Sequence, residues 1–153
     1  MKNIPAHRKR WATKQFSGNC GIGETMEKWG YQEDSDCPLC GQVETVAHVL
    51  QCQDGRAKVQ WEKSITKLEQ WLIKKDTLPE LTDIIMLRIT KWRNTSPYYE
   101  YTGAWPGLQH ALSQQHIIGW QCFLEGLLSP QWEDCQDLYY KWLNKRNTGH
   151  LFL

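Results

Sequence analysis

The sequence has no apolar run that approaches the roughly 18 residues needed to cross a bilayer. Residues 1–30 also lack the apolar stretch of a secretory signal peptide. These two absences predict an intracellular protein, nuclear or cytoplasmic, with no membrane partner. In such a reducing compartment, closely spaced cysteines hold a metal ion more often than they form disulfides.

A large net charge is absent as well. The formal net charge of the 153 residues is only +1, so bulk charge does not make this chain a polyanion binder. The charge is instead local, because residues 1–31 contain six basic and two acidic residues, a net charge of +4. A basic end of this kind suits a nucleic acid or an acidic partner, or is simply a solvated terminus.

Familiar motifs of nucleotide-binding and hydrolytic enzymes are missing. The sequence has no phosphate-binding loop, no dinucleotide-binding glycine pattern, no H-E-x-x-H and no G-x-S-x-G. The glycine-rich stretch "GNCGIG" (18–23) precedes no strand–helix unit, and the acidic stretches at 31–36 and 130–137 have no partner cluster. We therefore expect a protein that is not an enzyme.

Sustained alternation of apolar and polar residues, which is the pattern of a half-buried strand, is missing too. Helical periodicity is present instead, and Trp61, Ile65, Leu68 and Leu72 form one clear apolar stripe. Helices are predicted over 46–52, 56–75, 77–93, 108–128 and 129–143. Thr45, Thr77 and Ser129 are the predicted N-caps of three of them. The predicted fold is mainly α, with a small knuckle at residues 37–52 packed on or beside a bundle of about four to five helices.

One short stretch, "CPLCGQVETVAHVLQC" (37–52), has the composition of a metal site. Cys37 and Cys40 are separated by two residues, so both sulfurs can reach one ion from a tight turn. His48 and Cys52 are four residues apart on a predicted helix, which presents them on one face. Three thiolates and one imidazole form a closed tetrahedral set for a single structural Zn²⁺. The alternative is a pair of buried thiols beside a polar histidine.

The other cysteines and histidines do not extend this pattern. Cys20 lies in the glycine turn and is not needed by a closed site, and Cys122 and Cys135 fall in helical patterns as small core residues. His110 and His116 are six residues apart, do not share a helix face, and are expected to face solvent.

The segment from residue 8 to 53 resembles the zinc-binding segment that follows the polymerase and ribonuclease H regions in reverse-transcriptase-like proteins of non-LTR retroelements. The resemblance rests on C-P-x-C-G, a Glu-Thr pair and H-x-x-x-C, which correspond here to Cys37, Pro38, Cys40, Gly41, Glu44, Thr45, His48 and Cys52. It implies a role in holding template nucleic acid, or the element's own RNA, near a polymerase in the parent polypeptide. The chain has no polymerase motif, so the resemblance implies a fragment or a stand-alone remnant without enzymatic activity. Both ends read as cuts from a longer polypeptide.

Two regions follow from these patterns: a basic arm plus CCHC module at 1–53, and a helical region at 54–153 with a flexible aromatic loop at 94–107. RNA or single-stranded DNA is the expected partner. The residues expected to bind it are Arg8, Lys9, Arg10, Trp11, Lys14 and Lys28. Two alternatives stay open: a helical scaffold with a zinc clip, which binds a protein through the 94–107 loop, and a decayed retroelement remnant.

Overall fold

A computed structural model gives the fold and describes residues 6, 9, 10, 13, 14, 17–95 and 104–142. The fold is mainly α, which confirms the predicted class. The chain divides into two compact units, Met1–Glu62 and Lys63–Leu153, here called the N-terminal and C-terminal units. Within the described residues, the helices whose two ends are defined are α1 (Gly23–Lys28), α2 (Val46–Gln51), α3 (Gly55–Lys74), α4 (Pro79–Arg93), α5 (Pro106–Ile118), α6 (Trp120–Leu124) and α7 (Gln131–Trp142).

The N-terminal unit is built from short elements around a loop. Helix α1 ends at the C-cap Trp29, and Gly30 follows with φ of 73°, where the left-handed backbone favours glycine. The loop then pairs with itself at one isolated antiparallel bridge between Asp36 and Val43. Helix α2 begins directly after this loop, and Thr45 caps it as predicted, because its hydroxyl accepts a hydrogen bond from the backbone N–H of His48 at 3.0 Å.

The C-terminal unit has a true hydrophobic core. Helices α5, α6 and α7 supply Leu108, Leu112, Phe123 and Trp132 to it, and α4 supplies a row of aliphatic residues. The buried members of this core are Leu72, Leu81, Ile84, Ile85, Ile89, Ala104, Leu108, Ala111, Leu112, Trp120, Phe123, Trp132 and Cys135. Helix α5 contacts both α6 and α7, and α4 contacts α6.

A buried glutamine joins three segments of this core. The side-chain oxygen of Gln115 accepts hydrogen bonds from the Ser129 backbone N–H at 2.9 Å and from Trp132 Nε1 at 3.0 Å. Its amide nitrogen donates to the carbonyls of Gly119 and Leu127. Because Gln115 is fully buried, these four partners replace water and fix how α7 enters the core.

The predicted single helix over 108–128 is wrong. The helix breaks at Gly119, whose φ of 105° and ψ of 145° lie outside the helical region, and the short α6 ends at Leu124. The chain after α6 turns at Gly126, where φ is 97°. Leu127, which follows this turn, is exposed.

One predicted cap differs from the observed one. The N-cap of α4 is Leu78 rather than Thr77, and the hydroxyl of Thr77 is buried with no hydrogen-bond partner. The side chain of Gln136 bonds to the backbone at this helix start, where it accepts from the Leu78 N–H at 2.9 Å and donates to the Asp76 carbonyl at 2.9 Å. Ser129 lies two residues before α7, and its backbone carbonyl accepts from the Trp132 N–H.

Across the described parts of the chain, no helix combines the length and the apolar character that a membrane crossing requires.

Candidate metal centre

Four side chains that the sequence singled out meet at one point in the N-terminal unit. The Sγ atoms of Cys37, Cys40 and Cys52 and a ring nitrogen of His48 all lie within 4.8 Å of one another. Cys40 Sγ and His48 Nε2 are 3.2 Å apart. In a tetrahedral site with bonds near 2.3 Å, two sulfurs are about 3.8 Å apart, so shifts of about 1 Å or less would give this geometry. The four residues could therefore hold a metal ion.

A tight turn places the first two ligands. The backbone N–H of Gly41 donates to the Cys37 carbonyl at 2.8 Å, and the Cys37 N–H donates to the Gln42 carbonyl at 2.7 Å. Gly41 has φ of 73°, a conformation in which a side chain would be strained. The turn thus reverses the chain directly after Cys40, which brings both sulfurs to the same side.

Helix α2 places the other two ligands. His48 lies in its first turn and Cys52 is its C-cap, and the Cys52 N–H donates to the His48 carbonyl at 2.6 Å. The four-residue separation sets both side chains on one face of the helix. The Thr45 cap fixes where this helix begins, and therefore which face His48 and Cys52 occupy.

Helix α1 supports the ligand loop from the other side. The Glu24 N–H donates to the Glu44 carbonyl at 3.2 Å, and the Glu44 N–H donates to the Ser35 carbonyl at 2.7 Å. Gly23 is buried where this contact is closest: a Cβ there would lie 2.4 Å from the Ser35 carbonyl oxygen. The glycine-rich stretch at 18–23 therefore serves a close approach between backbones rather than phosphate binding.

Arg56, at the start of α3, links the two ends of the ligand segment. Its guanidinium forms an ion pair with Asp54, with Nε and Oδ1 3.0 Å apart, and donates to the Leu39 carbonyl at 3.4 Å. Leu39 lies between the first two cysteine ligands, so Arg56 ties the Cys37–Cys40 turn to the residues that follow Cys52.

The environment acts differently on the two cysteines of the turn. Burial opposes ionisation of Cys37, but the backbone N–H groups of Leu39 and Cys40 and the His48 ring favour its thiolate, and the pKa is lowered to about 7. At Cys40 the Gln42 N–H favours the thiolate, but desolvation and the neighbouring thiols of Cys52 and Cys37 outweigh it and raise the pKa. Three thiols this close resist simultaneous ionisation unless a cation joins them.

The remaining cysteines and histidines of the described residues lie outside the cluster. Cys135 is a buried core residue of α7, and burial followed by the charge of Asp134 raises its pKa to about 11, so it is an inert thiol. Cys122 is half-buried in α6, and Cys20 is half-buried in the glycine turn. His110 and His116 are exposed on α5, as predicted.

The predicted nucleic-acid-binding residues are only partly described. Lys9, Arg10 and Lys14 are exposed and helical, Lys28 is exposed in the last turn of α1, and Arg8 and Trp11 lie outside the described residues. Most of the 94–107 loop also lies outside them, including Tyr98, Tyr99 and Tyr101. Trp105 is the described aromatic of this loop, and it is half-buried against the hydrophobic core.

Sequence reasoning missed two features of the site region. Nothing in the spacing of Arg56 indicated its bond to the turn, because that contact spans seventeen residues of chain. Trp29 and Tyr31 form an exposed edge-to-face pair directly after α1, with ring centroids 6.3 Å apart and exposed fractions of 43% and 73%. Their positions on either side of Gly30 were the available signal for an aromatic pair.

Comparison of the chain with profiles of known protein families, with curated proteins and with solved structures yields no match.

Proposed function

We propose that this chain is a non-enzymatic nucleic-acid-binding accessory module that holds one structural zinc ion. The convergence of Cys37, Cys40, His48 and Cys52 is the observation that supports the metal site. Thiolate and imidazole are ligands that Zn²⁺ favours, and four protein ligands leave no open position for a reacting water. The ion is structural because the site is closed.

The charge of the N-terminal unit points to the arm as the nucleic-acid-binding element. Residues 1–16 contain five basic residues and no acidic ones, whereas residues 17–62 contain three basic and eight acidic residues, net charges of +5 and −5. Phosphates are attracted to the first segment and repelled by the second. The segment that contains the metal site therefore supports the basic arm at residues 1–16. Lys28 contributes a weaker contact to the nucleic acid, because Glu24 and Glu27 lie on the same helix.

Unpaired bases supply the second part of the recognition. Exposed aromatic rings stack on single-stranded bases, and a duplex hides these faces. Trp29 and Tyr31 offer such rings in the described part of the N-terminal unit. RNA or single-stranded DNA is therefore favoured over a duplex. The resemblance at residues 8–53 fits this function, with descent from a retroelement protein whose polymerase this chain does not contain.

The proposed function is tested by the affinity of the full chain for single-stranded RNA, single-stranded DNA and duplex DNA at two salt concentrations. A variant with Lys9, Arg10 and Lys14 changed to glutamine should bind more weakly. For this variant, the slope of log affinity against log salt concentration should be shallower by about 2. Each phosphate contact that is lost from a single strand removes about 0.7 from this slope. Lys58, Lys63 and Lys67 are exposed on α3, and their change to glutamine is the matched control.

Absence of binding at low salt would rule out the nucleic-acid function. If the purified chain also held no metal, a decayed retroelement remnant would be the better interpretation.

A helical interaction scaffold is the second candidate, and one observation favours it. The C-terminal unit exposes large apolar side chains: Ile117 is 76% exposed, Leu138 54% and Trp142 77%. Because Trp105 packs against the core, a docking test should leave it intact and replace only residues 98–101 with glycine and serine. Unchanged partners in a pull-down would show that this loop does not bind them.

A further inference from the structure

The four clustered ligands differ in their exposure to solvent. Cys37 is 6% exposed and Cys52 is 2% exposed, so protein atoms cover both sulfur-bearing side chains. His48 is half-buried, and Cys40 alone among the four is exposed. A reagent in solution can therefore reach one thiolate of this cluster without any opening of the fold.

Hydrogen bonding does not separate the two cysteines of the turn in the way that exposure does. The backbone N–H groups of Leu39 and Cys40 stabilise the Cys37 thiolate, and the Gln42 N–H does so at Cys40, whose Sγ also lies 3.2 Å from His48 Nε2. Exposure therefore makes Cys40 the more accessible sulfur of the turn.

The position of Cys37 makes it the partner for an oxidised Cys40. Both cysteines lie on the turn closed by the bond from the Gly41 N–H to the Cys37 carbonyl, and this turn has an exposed outer surface at Pro38, Cys40 and Gly41. Cys52 is instead fixed at the end of α2 by its bond to the His48 carbonyl. A local change in the turn can bring the sulfurs of Cys37 and Cys40 into bonding distance, and a Cys-x-x-Cys spacing accommodates a disulfide.

From these observations we propose that Cys40 is an oxidant-sensitive modification site that controls metal retention, an inference that rests on the metal site of the proposed function. Hydrogen peroxide is the oxidant. The Cys40 thiolate attacks one peroxide oxygen, the O–O bond breaks, hydroxide leaves, and the sulfur becomes a sulfenic acid. The Cys37 thiolate then attacks the Cys40 sulfur, a disulfide forms, and a second hydroxide leaves.

The two hydroxides take up two protons from solvent and become two waters, so one peroxide is reduced as two thiolates are oxidised. The site loses two of its four ligands in this step, and the remaining pair, His48 and Cys52, holds a metal ion too weakly to retain it. Oxidation at one exposed sulfur therefore removes the ion from the whole module.

The test uses the full chain with its metal content measured first. A limiting amount of N-ethylmaleimide is added, and peptide mass spectrometry follows the labelling of each cysteine. We expect Cys40 to react at least about tenfold faster than Cys37 and Cys52. Substoichiometric peroxide should then yield a Cys37–Cys40 disulfide together with an equivalent amount of released metal, which a coloured chelator detects. Earlier labelling of Cys37 or Cys52, or a disulfide that includes Cys52, would overturn the inference.

Two histidine variants distinguish the effect of solvent access to Cys40 from the effect of losing a metal ligand. Cys40→His and Cys37→His each keep four ligands of types that bind zinc. Peroxide should release metal from Cys40→His at least about tenfold more slowly than from the unmodified chain. In Cys37→His, dimedone should trap the sulfenic acid at Cys40; trapping elsewhere in the cluster would contradict the inference. If either variant fails to bind metal, the labelling order in the unmodified chain still decides.

Failure here is distinguishable from failure of the proposed function. A purified chain without metal would remove the zinc site itself. A chain that holds one metal ion but reacts first at a buried ligand would remove only the role of Cys40.

Discussion

The two compact units bury different kinds of residue. In the described part of the N-terminal unit, only Gly23, Cys37 and Cys52 are buried, and two of these three belong to the cluster that could hold a metal ion. The C-terminal unit buries a continuous cluster of aliphatic and aromatic side chains around Trp132. One unit thus has little apolar area to offset its loss of conformational entropy, whereas the other has a conventional core.

This difference assigns a separate source of stability to each unit. Structural zinc sites in small peptides contribute apparent binding free energies of about 10–16 kcal/mol at pH 7, which is folding free energy where no apolar core exists. The C-terminal unit instead depends on burial of about 1.5–3 kcal/mol for each large apolar side chain. A substitution that removes the metal ion, or part of the hydrophobic core, should therefore destabilise only the unit that depends on it.

The largest expected effect comes from removal of a ligand. Cys52→Ala should abolish metal binding and unfold the ligand segment of the N-terminal unit, because the remaining contacts there bury almost no apolar surface. Hydrogen exchange measured across the whole chain should show loss of protection over residues 23–52 and none over residues 108–142. Cys20→Ala is the matched control, since Cys20 lies outside the cluster and its loss should leave the metal content unchanged. Retained protection at residues 23–52 in Cys52→Ala would refute the metal's role as a core.

Truncation of a core side chain should destabilise the C-terminal unit and leave the N-terminal unit folded. Trp132 is 1% exposed and donates to Gln115, so Trp132→Ala should lower the free energy of unfolding of the C-terminal unit by about 3–5 kcal/mol. Its metal content should stay at the level of the unmodified chain. Trp142→Ala is the control, because Trp142 is 77% exposed and its loss should change stability by about 0.5 kcal/mol or less. Urea unfolding followed by far-UV circular dichroism gives both values.

Gly23→Ala addresses the packing of α1 on the ligand loop. The added methyl group would lie 2.4 Å from the Ser35 carbonyl oxygen, which the backbone must move to accommodate, at a cost of about 1–3 kcal/mol. Metal affinity should fall by the same free energy, as measured by competition with a chelator. Gly55→Ala is the matched control, since no atom lies within 4 Å of a Cβ at that position. Equal affinities for the two variants would show that this close approach does not support the site.

The pH dependence of metal affinity should report the two cysteines of the turn. The raised pKa of Cys40 means that metal binding must displace a proton from it at neutral pH, so affinity should rise by at least about tenfold for each pH unit. Below the Cys37 pKa of about 7, one further proton must leave, and the rise should steepen by about another tenfold for each unit. Competition titrations between pH 6 and 8 measure this slope. A constant affinity across that range would contradict ligation by these thiols.

The sequence was sufficient to predict that Cys37, Cys40, His48 and Cys52 cluster, because local geometry determines this. A Cys-x-x-Cys turn and a four-residue helical spacing each place two side chains without long-range information, and the Thr45 cap is equally local. The apolar stripe of α3 was visible for the same reason: Leu72 is buried, and Ile65 and Leu68 pack against the hydrophobic core as the periodicity indicates.

The errors arose where distant residues decide the structure. The break at Gly119 depends on Gln115, whose side chain bonds to segments twelve to seventeen residues away and makes a chain reversal favourable. The start of α4 at Leu78 rather than Thr77 is accompanied by bonds from Gln136, about sixty residues later, to the backbone of Leu78 and Asp76. The close approach of Gly23 to the Ser35 backbone could not be predicted either, because residue spacing in the sequence does not show which backbone segments come into contact.

The most direct measurement is the metal content and ligand geometry of the purified full-length chain. Elemental analysis combined with X-ray absorption at the zinc edge should give one zinc per chain with three sulfur neighbours near 2.3 Å and one nitrogen near 2.0–2.1 Å. A chain with no metal, or with a zinc bound by oxygen and nitrogen alone, would contradict the assignment of Cys37, Cys40, His48 and Cys52 as one site.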